Sequence, residues 1–277
     1  MNFLPVGVLT ICALPCLAQE LTVDQIMARV AENQARAQEM RKAYIYNQKV
    51  MARFVRHSGK MTREEKHEYV VTPKPDGTEK KLTHFEGRYV HKGQVVPIDE
   101  PGKEHDGLDI DADVMRDLVN DLTNDKESKD GIGHDLFPLT AKEQAKYQYT
   151  LVGKEAYRGR EVYRVKFVPK PKTEDAEWKG EALIDTAECQ PVSVNTTFAT
   201  KIPMAVKVLL GTDIKGLGFA VSYQKFDDGI WFPVSYGGEF HIRAVFFYNR
   251  NMSMSLVNSG FERAKVSSSV AYDLNGK

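Results

Sequence analysis

Seven histidines, His57, His67, His84, His91, His105, His134 and His241, are the first residues to test for chemistry. No two stand four apart with Glu between them, the spacing by which a zinc-protease helix turns two imidazoles to one metal. His84 and His91 are close enough to share a hairpin and a metal ion, although His is also an ordinary strand-surface residue. Asp109, Asp111 and Asp113 alternate as the first ligands of a calcium loop do, but the sixth position is Val114 where Gly is required. The twelfth is Asn120 where a bidentate Glu belongs, so these acids cap a helix instead. Cys189 lies in Asp185-Thr186-Ala187-Glu188-Cys189-Gln190-Pro191, and a thiolate nucleophile there needs an electropositive neighbour. The sequence supplies Glu188 and no nearby His. No Gly-x-Ser-x-Gly elbow occurs, and Gly211 to Gly218 lacks the Lys-Thr of a phosphate loop. The expectation is a protein that is not an enzyme, with no catalytic residue, no metal site and no cofactor.

The elements that would carry these residues are mostly strands. Thr22-Val23-Asp24-Gln25 is a capping-box signature, and Ile26, Val30, Ala37 and Met40 recur at three- and four-residue steps with Asn33 interrupting, which predicts a helix of about five turns. From Tyr44 the period becomes two, placing Tyr44, Tyr46, Val50, Ala52 and Phe54 on one face. His57-Ser58-Gly59 turns the chain into a partner over Met61 to Val71, and Asp76-Gly77 turns it again into a strand through Tyr89 and Val90. Hairpins follow over Tyr147 to Val168, turning at Tyr157 to Arg160, and from Gly180 to Phe198. The last third is almost all strand, with three alternating runs, a break at Gly237-Gly238 between the second and third, and closing strands near Ser253 to Val257 and Phe261 to Val270. About ten strands joined by short turns predict a mainly β (α+β) fold. It is a single strongly curved antiparallel sheet or half-open barrel, with an N-terminal helix and a short helical insertion.

That insertion spans about 99–135, where 13 acidic residues face 4 basic ones, and a short helix carries Val114, Met115, Leu118, Val119 and Leu122. Over the whole chain 38 basic and 38 acidic residues cancel, which excludes the basic excess of a nucleic-acid binder. Phe3 to Ala18 holds no charge and is too short to span a bilayer, and small residues at Cys16 and Ala18 precede polar Gln19-Glu20. The expectation is a signal peptide over 1–18, cleaved after Ala18, although Lys or Arg is missing before its apolar core. Removing 18 of 277 residues leaves 259, read as a single curved-sheet domain over 19–277, periplasmic or secreted, with no transmembrane anchor. Cys12 and Cys16 leave with the signal, so Cys189 has no disulfide partner and is expected to be dispensable.

The order of elements resembles the outer-membrane lipoprotein-sorting and carrier family of periplasmic half-barrel proteins. The resemblance rests on the capped helix Leu21 to Ala43, the tyrosine-rich strand after it, and the run Leu151-Val152-Gly153-Lys154-Glu155-Ala156-Tyr157-Arg158-Gly159-Arg160-Glu161-Val162-Tyr163-Arg164-Val165. Ala182-Leu183-Ile184-Asp185 and Gln190-Pro191-Val192 continue it, whereas the acidic insertion and the segment from Ile202 onward depart from it. It implies a half-open barrel closed by helices and a carrier of lipid or lipoprotein acyl chains.

Two functions remain open. In the first, a concave sheet binds a hydrophobic ligand non-catalytically, lined by Leu217, Phe219, Val221 and Tyr223 and, across the Asp227-Asp228-Gly229 turn, by Ile230, Phe232, Val234 and Tyr236 on one continuous face. In the second, the same face is a filled core, and an envelope protein partner is read through edge strands or loops.

Overall fold

The computed structural model describes residues 20–74, 77–101, 103, 109–123, 138–171, 173, 178–199, 212–215, 218–244 and 248–264. The expected leader, Leu217, and Gly102 and residues 104–108 and 124–135 of the acidic insertion lie outside these. Along the described chain run α1 (Val23–Arg41), β1 (Tyr44–Arg56), β2 (Met61–Lys74), β3 (Gly77–His91), β4 (Gln94–Ile98), α2 (Ile110–Thr123) and α3 (Ala141–Gln144). Then come β5 (Tyr147–Tyr157), β6 (Arg160–Pro169), β7 (Trp178–Asp185), β8 (Pro191–Phe198), β9 (Thr212–Lys215), β10 (Gly218–Lys225), β11 (Trp231–Ala244) and β12 (Tyr248–Arg263). The strands form one antiparallel sheet in the order β4-β3-β2-β1-β12-β11-β10-β8-β7-β6-β5, with β9 pairing β11 beside that path. The sheet does not close on itself; β4 and β5 are its ends. The mainly β, open curved sheet with an N-terminal helix and a helical excursion is the architecture that the strand pattern predicts.

The N-terminal helix starts where the sequence places it, because the Thr22 hydroxyl accepts from Gln25 N–H while the Gln25 side chain accepts from Thr22 N–H. Nineteen residues make a rod about 28 Å long, close to the ~24 Å covered by five strand spacings. The contacts of α1 run across the strands accordingly. Gln144 of α3, next to β5, donates to Met27 O at 2.9 Å; Asn33 in mid-helix donates to Glu188 O and Cys189 O at 2.7 and 3.1 Å; Arg41 at the end donates to Trp231 O at 3.1 Å. Ile26, Met27, Val30 and Ala37 are buried beneath the helix, whereas Met40, expected in the same stripe, is 44% exposed. Asn33 interrupts the stripe because it fastens the β7–β8 turn.

Two expected features of the last third differ in the structure. Gly237-Gly238 is no break, since β11 passes straight through it. A Cβ on Gly238 would stand 2.3 Å from Gly218 O, so the glycine permits a close backbone approach. Of the expected closing strands, Ser253 to Val257 and the start of the second, as far as Arg263, are one strand, β12, bent where Gly260 takes φ +63° and the register to β1 slips near Tyr46; residues 265–270 lie outside the described residues. The strand β4 was not foreseen. It returns from β3 through Lys92 and Gly93, both at positive φ, a two-residue hairpin turn.

Candidate functional site

One face of the sheet lies under α1 and α2 and holds the main core. Val50, Ala52 and Phe54 of β1, Met252, Met254 and Leu256 of β12, Tyr236 and Phe240 of β11, Phe219, Val221 and Tyr223 of β10 and Val165 and Phe167 of β6 meet Ile26, Val30 and Met115 there. Of the eight residues expected to line a ligand site, Phe219, Val221, Tyr223 and Tyr236 belong to this face. Ile230, Phe232 and Val234 do not. They join Tyr44, Phe226 and Phe261 in a separate cluster, in which the Phe232 ring lies 4.2 Å from Phe261 and 5.0 Å edge-on from Tyr44. The single continuous surface expected across the Asp227-Asp228-Gly229 turn is therefore divided in two, and Leu217 falls outside the described residues. The cause is a bulge. Ser222 pairs Ser235 but Tyr223 pairs Pro233, so Val234 is an extra residue and every side chain before it changes face. Trp231, on the changed parity, enters the main core in place of Phe232.

The helix-covered face is not uniformly apolar. In the β1–β2 hairpin Phe54, Ala52, Val50 and Gln48 oppose Arg63, Glu65, His67 and Tyr69, so β2 turns a polar strip inward with Arg63 1%, Glu65 0% and His67 3% exposed. The groups satisfy one another. Arg63 Nε donates to Glu65 Oε1 at 2.7 Å, Nη1 to Asp109 Oδ2 at 2.9 Å and Nη2 to Lys103 O at 3.0 Å. His67 Nε2 lies 3.0 Å from Glu65 Oε2, and His67 Nδ1 lies 3.2 Å from the Tyr69 hydroxyl. Gly87 stands opposite Glu65, and a Cβ there would meet Phe85 and Ile98 at 2.7 and 2.8 Å; the absent side chain lets them close over the strip. Sequence reasoning passed over these residues because β2 shows no apolar alternation. The signal was the period-two run Arg63, Glu65, His67, Tyr69 set opposite the inward residues of β1.

The strip fastens the start of α2. Asp109 also caps the helix, accepting from Ala112 N–H at 3.0 Å, and Asp111 accepts from the Tyr248 hydroxyl at 2.6 Å and lies 3.3 Å from Arg250 Nε. Burial and the adjacent Asp111 charge both hold the Tyr248 phenol well above its usual range. Asp113 pairs with Arg116 on the helix itself. The three alternating aspartates thus anchor and cap a helix, and among the described residues no three His, Cys, Asp or Glu side chains converge as metal ligands would. His84 and His91 lie on one strand, seven residues and about 23 Å apart, and His84 bonds Glu86 instead.

Burial opposes ionisation of Glu65, but the hydrogen bond from His67 and the Arg63 charge outweigh it and hold the carboxyl below the usual 4.5. A carboxyl depressed in the folded state adds stability that is present above the unfolded value and lost as pH falls through the folded one. Melting temperatures followed from pH 7 to pH 3 are expected to fall more steeply below about pH 4.5 in the wild type than in Glu65→Gln. Parallel curves for the two proteins would show that Glu65 does not couple to folding.

No family model and no curated protein matches the sequence. Solved structures do. An outer membrane lipoprotein-sorting protein domain from Vibrio parahaemolyticus matches at 11% identity over 84% of this chain and 92% of its own, with a TM-score of 0.37. A LolA superfamily protein from Nitrosomonas europaea matches at 11% identity over 90% of this chain and 96% of its own, with a TM-score of 0.35. A DUF1329 family protein from Desulfovibrio piger matches at 12% identity over 87% and 95%, with a TM-score of 0.36. The chain is similar to solved lipoprotein-sorting proteins.

Cys189 has the basic neighbour that the sequence did not supply. Arg29, on α1, bonds the thiol, yet burial dominates and leaves the thiol above its usual range. The residue is 3% exposed and takes φ +49° in the β7–β8 turn. Cys189→Ser is expected to cost about 1 kcal/mol, the price of a buried hydroxyl, and to leave ligand binding unchanged. Urea denaturation beside a binding assay checks both, and a loss of binding with stability intact would restore a role for the thiol.

Proposed function

We propose that the chain is an exported envelope protein that binds a hydrophobic ligand, a lipid or lipoprotein acyl chain, between the open sheet and its helices, without catalysis. The observation that carries this reading is the way α2 covers the face. Its apolar residues Ala112 and Met115 are buried against the sheet, while its N-terminal end is held by the polar contacts of Asp109 and Asp111 to Arg63, Arg250 and Tyr248. A cover fastened by polar bonds at one end exposes apolar surface when those bonds open, and apolar concave surface is what small-molecule sites are built from. Among the described residues no helix is long and apolar enough to cross a membrane. Export rests on the apolar run before Gln19, and sequencing the amino terminus of protein from the envelope fraction tests it.

A second reading, an interaction module with a filled core and a protein partner, draws on the packing: Val221 is 0% and Phe219 4% exposed. The edges of the sheet weigh against recognition by strand addition. At one end β4 has five residues and contains Pro97, and at the other β5 is bulged between Leu151 and Gly153, both features that deter further pairing. Native mass spectrometry of detergent-free protein separates the readings. Co-purifying lipid supports the first; bare protein that also fails to quench a fluorescent fatty acid leaves the second.

A further inference from the structure

We infer that the helix-covered face selects amphiphiles whose head group donates an uncharged hydrogen bond, from a hydroxyl or an amide N–H, to Gln48 Oε1. The inference rests on the binding reading above and names the ligand class for the same face.

Gln48 is 1% exposed and sits among the inward apolar residues of β1. Its neighbours in the polar strip are satisfied by one another. Gln48 Nε2 donates to Asn258 Oδ1 at 3.2 Å, Asn258 Nδ2 donates to Pro233 O at 3.1 Å, and the Tyr69 hydroxyl is engaged with His67. Gln48 Oε1 has no hydrogen-bond partner among the described residues. A buried carbonyl oxygen left unmatched is costly, and an apolar side chain of the same length would fill the position without that cost.

The position of this acceptor gives it a route to a ligand. Leu82, Tyr69, Gln48 and Asn258 stand in one cross-strand row over β3, β2, β1 and β12. The row begins at Leu82, 38% exposed, passes the half-buried ring of Tyr69, reaches the buried oxygen of Gln48 and ends at the buried Asn258. An amphiphile lying on this face thus meets apolar contact toward the β3 side and a lone acceptor at its inner end. The acceptor sets the chemistry. An ionised carboxylate has no proton to give it, and an ammonium group would be buried in a row that holds no carboxylate. A hydroxyl or amide N–H completes the bond without burying charge.

The test compares ligands of one alkyl chain length, in which the ether replaces the hydroxyl proton of the alcohol by a methyl group. Displacement of a fluorescent fatty acid by 1-dodecanol and by dodecyl methyl ether is measured on the wild type and on Gln48→Met. The alcohol is expected to bind the wild type about fivefold to tenfold more tightly than the ether, one net hydrogen bond, and Gln48→Met should bring the two within twofold. Equal binding of alcohol and ether by the wild type overturns the inference, as does a preference that survives in Gln48→Met; in both cases the binding reading stands. The ether comparison needs no variant, so poor folding of Gln48→Met does not blunt it. A wild type that binds the probe and both dodecyl compounds not at all overturns the head-group inference together with the binding reading.

Discussion

Arg63→Ala is expected to destabilise the protein by about 3–5 kcal/mol, because it leaves the Glu65 and Asp109 carboxylates without their cation inside the sheet face. The guanidinium serves Glu65, Asp109 and Lys103 O at once. For a domain of this length the loss corresponds to a fall in Tm of about 10 °C. Arg63→Lys should recover little, since a single ammonium lacks the planar fork that reaches three acceptors. Removing the charges together, as Arg63→Met with Glu65→Leu, should cost less than Arg63→Ala alone, because no unpaired carboxylate then remains at position 65. Urea titration of the four proteins gives the comparison. A loss below 1 kcal/mol in Arg63→Ala would mean that water reaches the strip and replaces the guanidinium.

Phe219→Ala and Phe232→Ala are each expected to cost about 3–5 kcal/mol, since both rings are buried and packed against other aromatic rings. Phe219 meets Trp178 and Phe240, and Phe232 meets Tyr44, Phe226 and Phe261. Their effects on a bound lipid should differ, because the bulge at Val234 puts the rings in different clusters. Phe219→Ala should weaken fatty-acid binding, and Phe232→Ala should leave it unchanged wherever the protein remains folded. Binding measured well below each variant's Tm separates the two contributions. Equal weakening by both would contradict the division of the face.

Legibility in the sequence followed the strength of local signals. The capping box at Thr22, the inward face of β1 and the turn at Arg158-Gly159 were readable because each depends on neighbours a few residues apart. The grouping of Phe219, Val221 and Tyr223 was readable for the same reason. The placement of Ile230, Phe232 and Val234 was not, since alternation alone cannot reveal one extra residue inserted opposite Ser222 and Tyr223. The strip Arg63, Glu65, His67 was hidden differently. Charged side chains conventionally mark a solvent face, and only the pairing with Phe54, Ala52 and Val50 shows that these point inward. Gln48 and Asn33 had the same disguise, being polar residues in apolar stripes whose partners lie far along the chain.

The place of β1 in the sheet bears on how the chain can assemble. Its neighbours are β2, reached by a tight turn, and β12, the last described strand; Tyr44 and Arg263, 219 residues apart, pair directly. The first and last described strands therefore meet at an interior seam, not at an edge. Until residues 248–263 arrive, β1 presents thirteen residues of unpaired backbone with an apolar inner side, the kind of edge that recruits other chains. Contacts this distant in sequence also form slowly, because a long loop must close before they contribute. A chain truncated before β12 should hold its early and late hairpins as separate, aggregation-prone halves, so synthesis of β12 becomes the step that commits the molecule to one sheet.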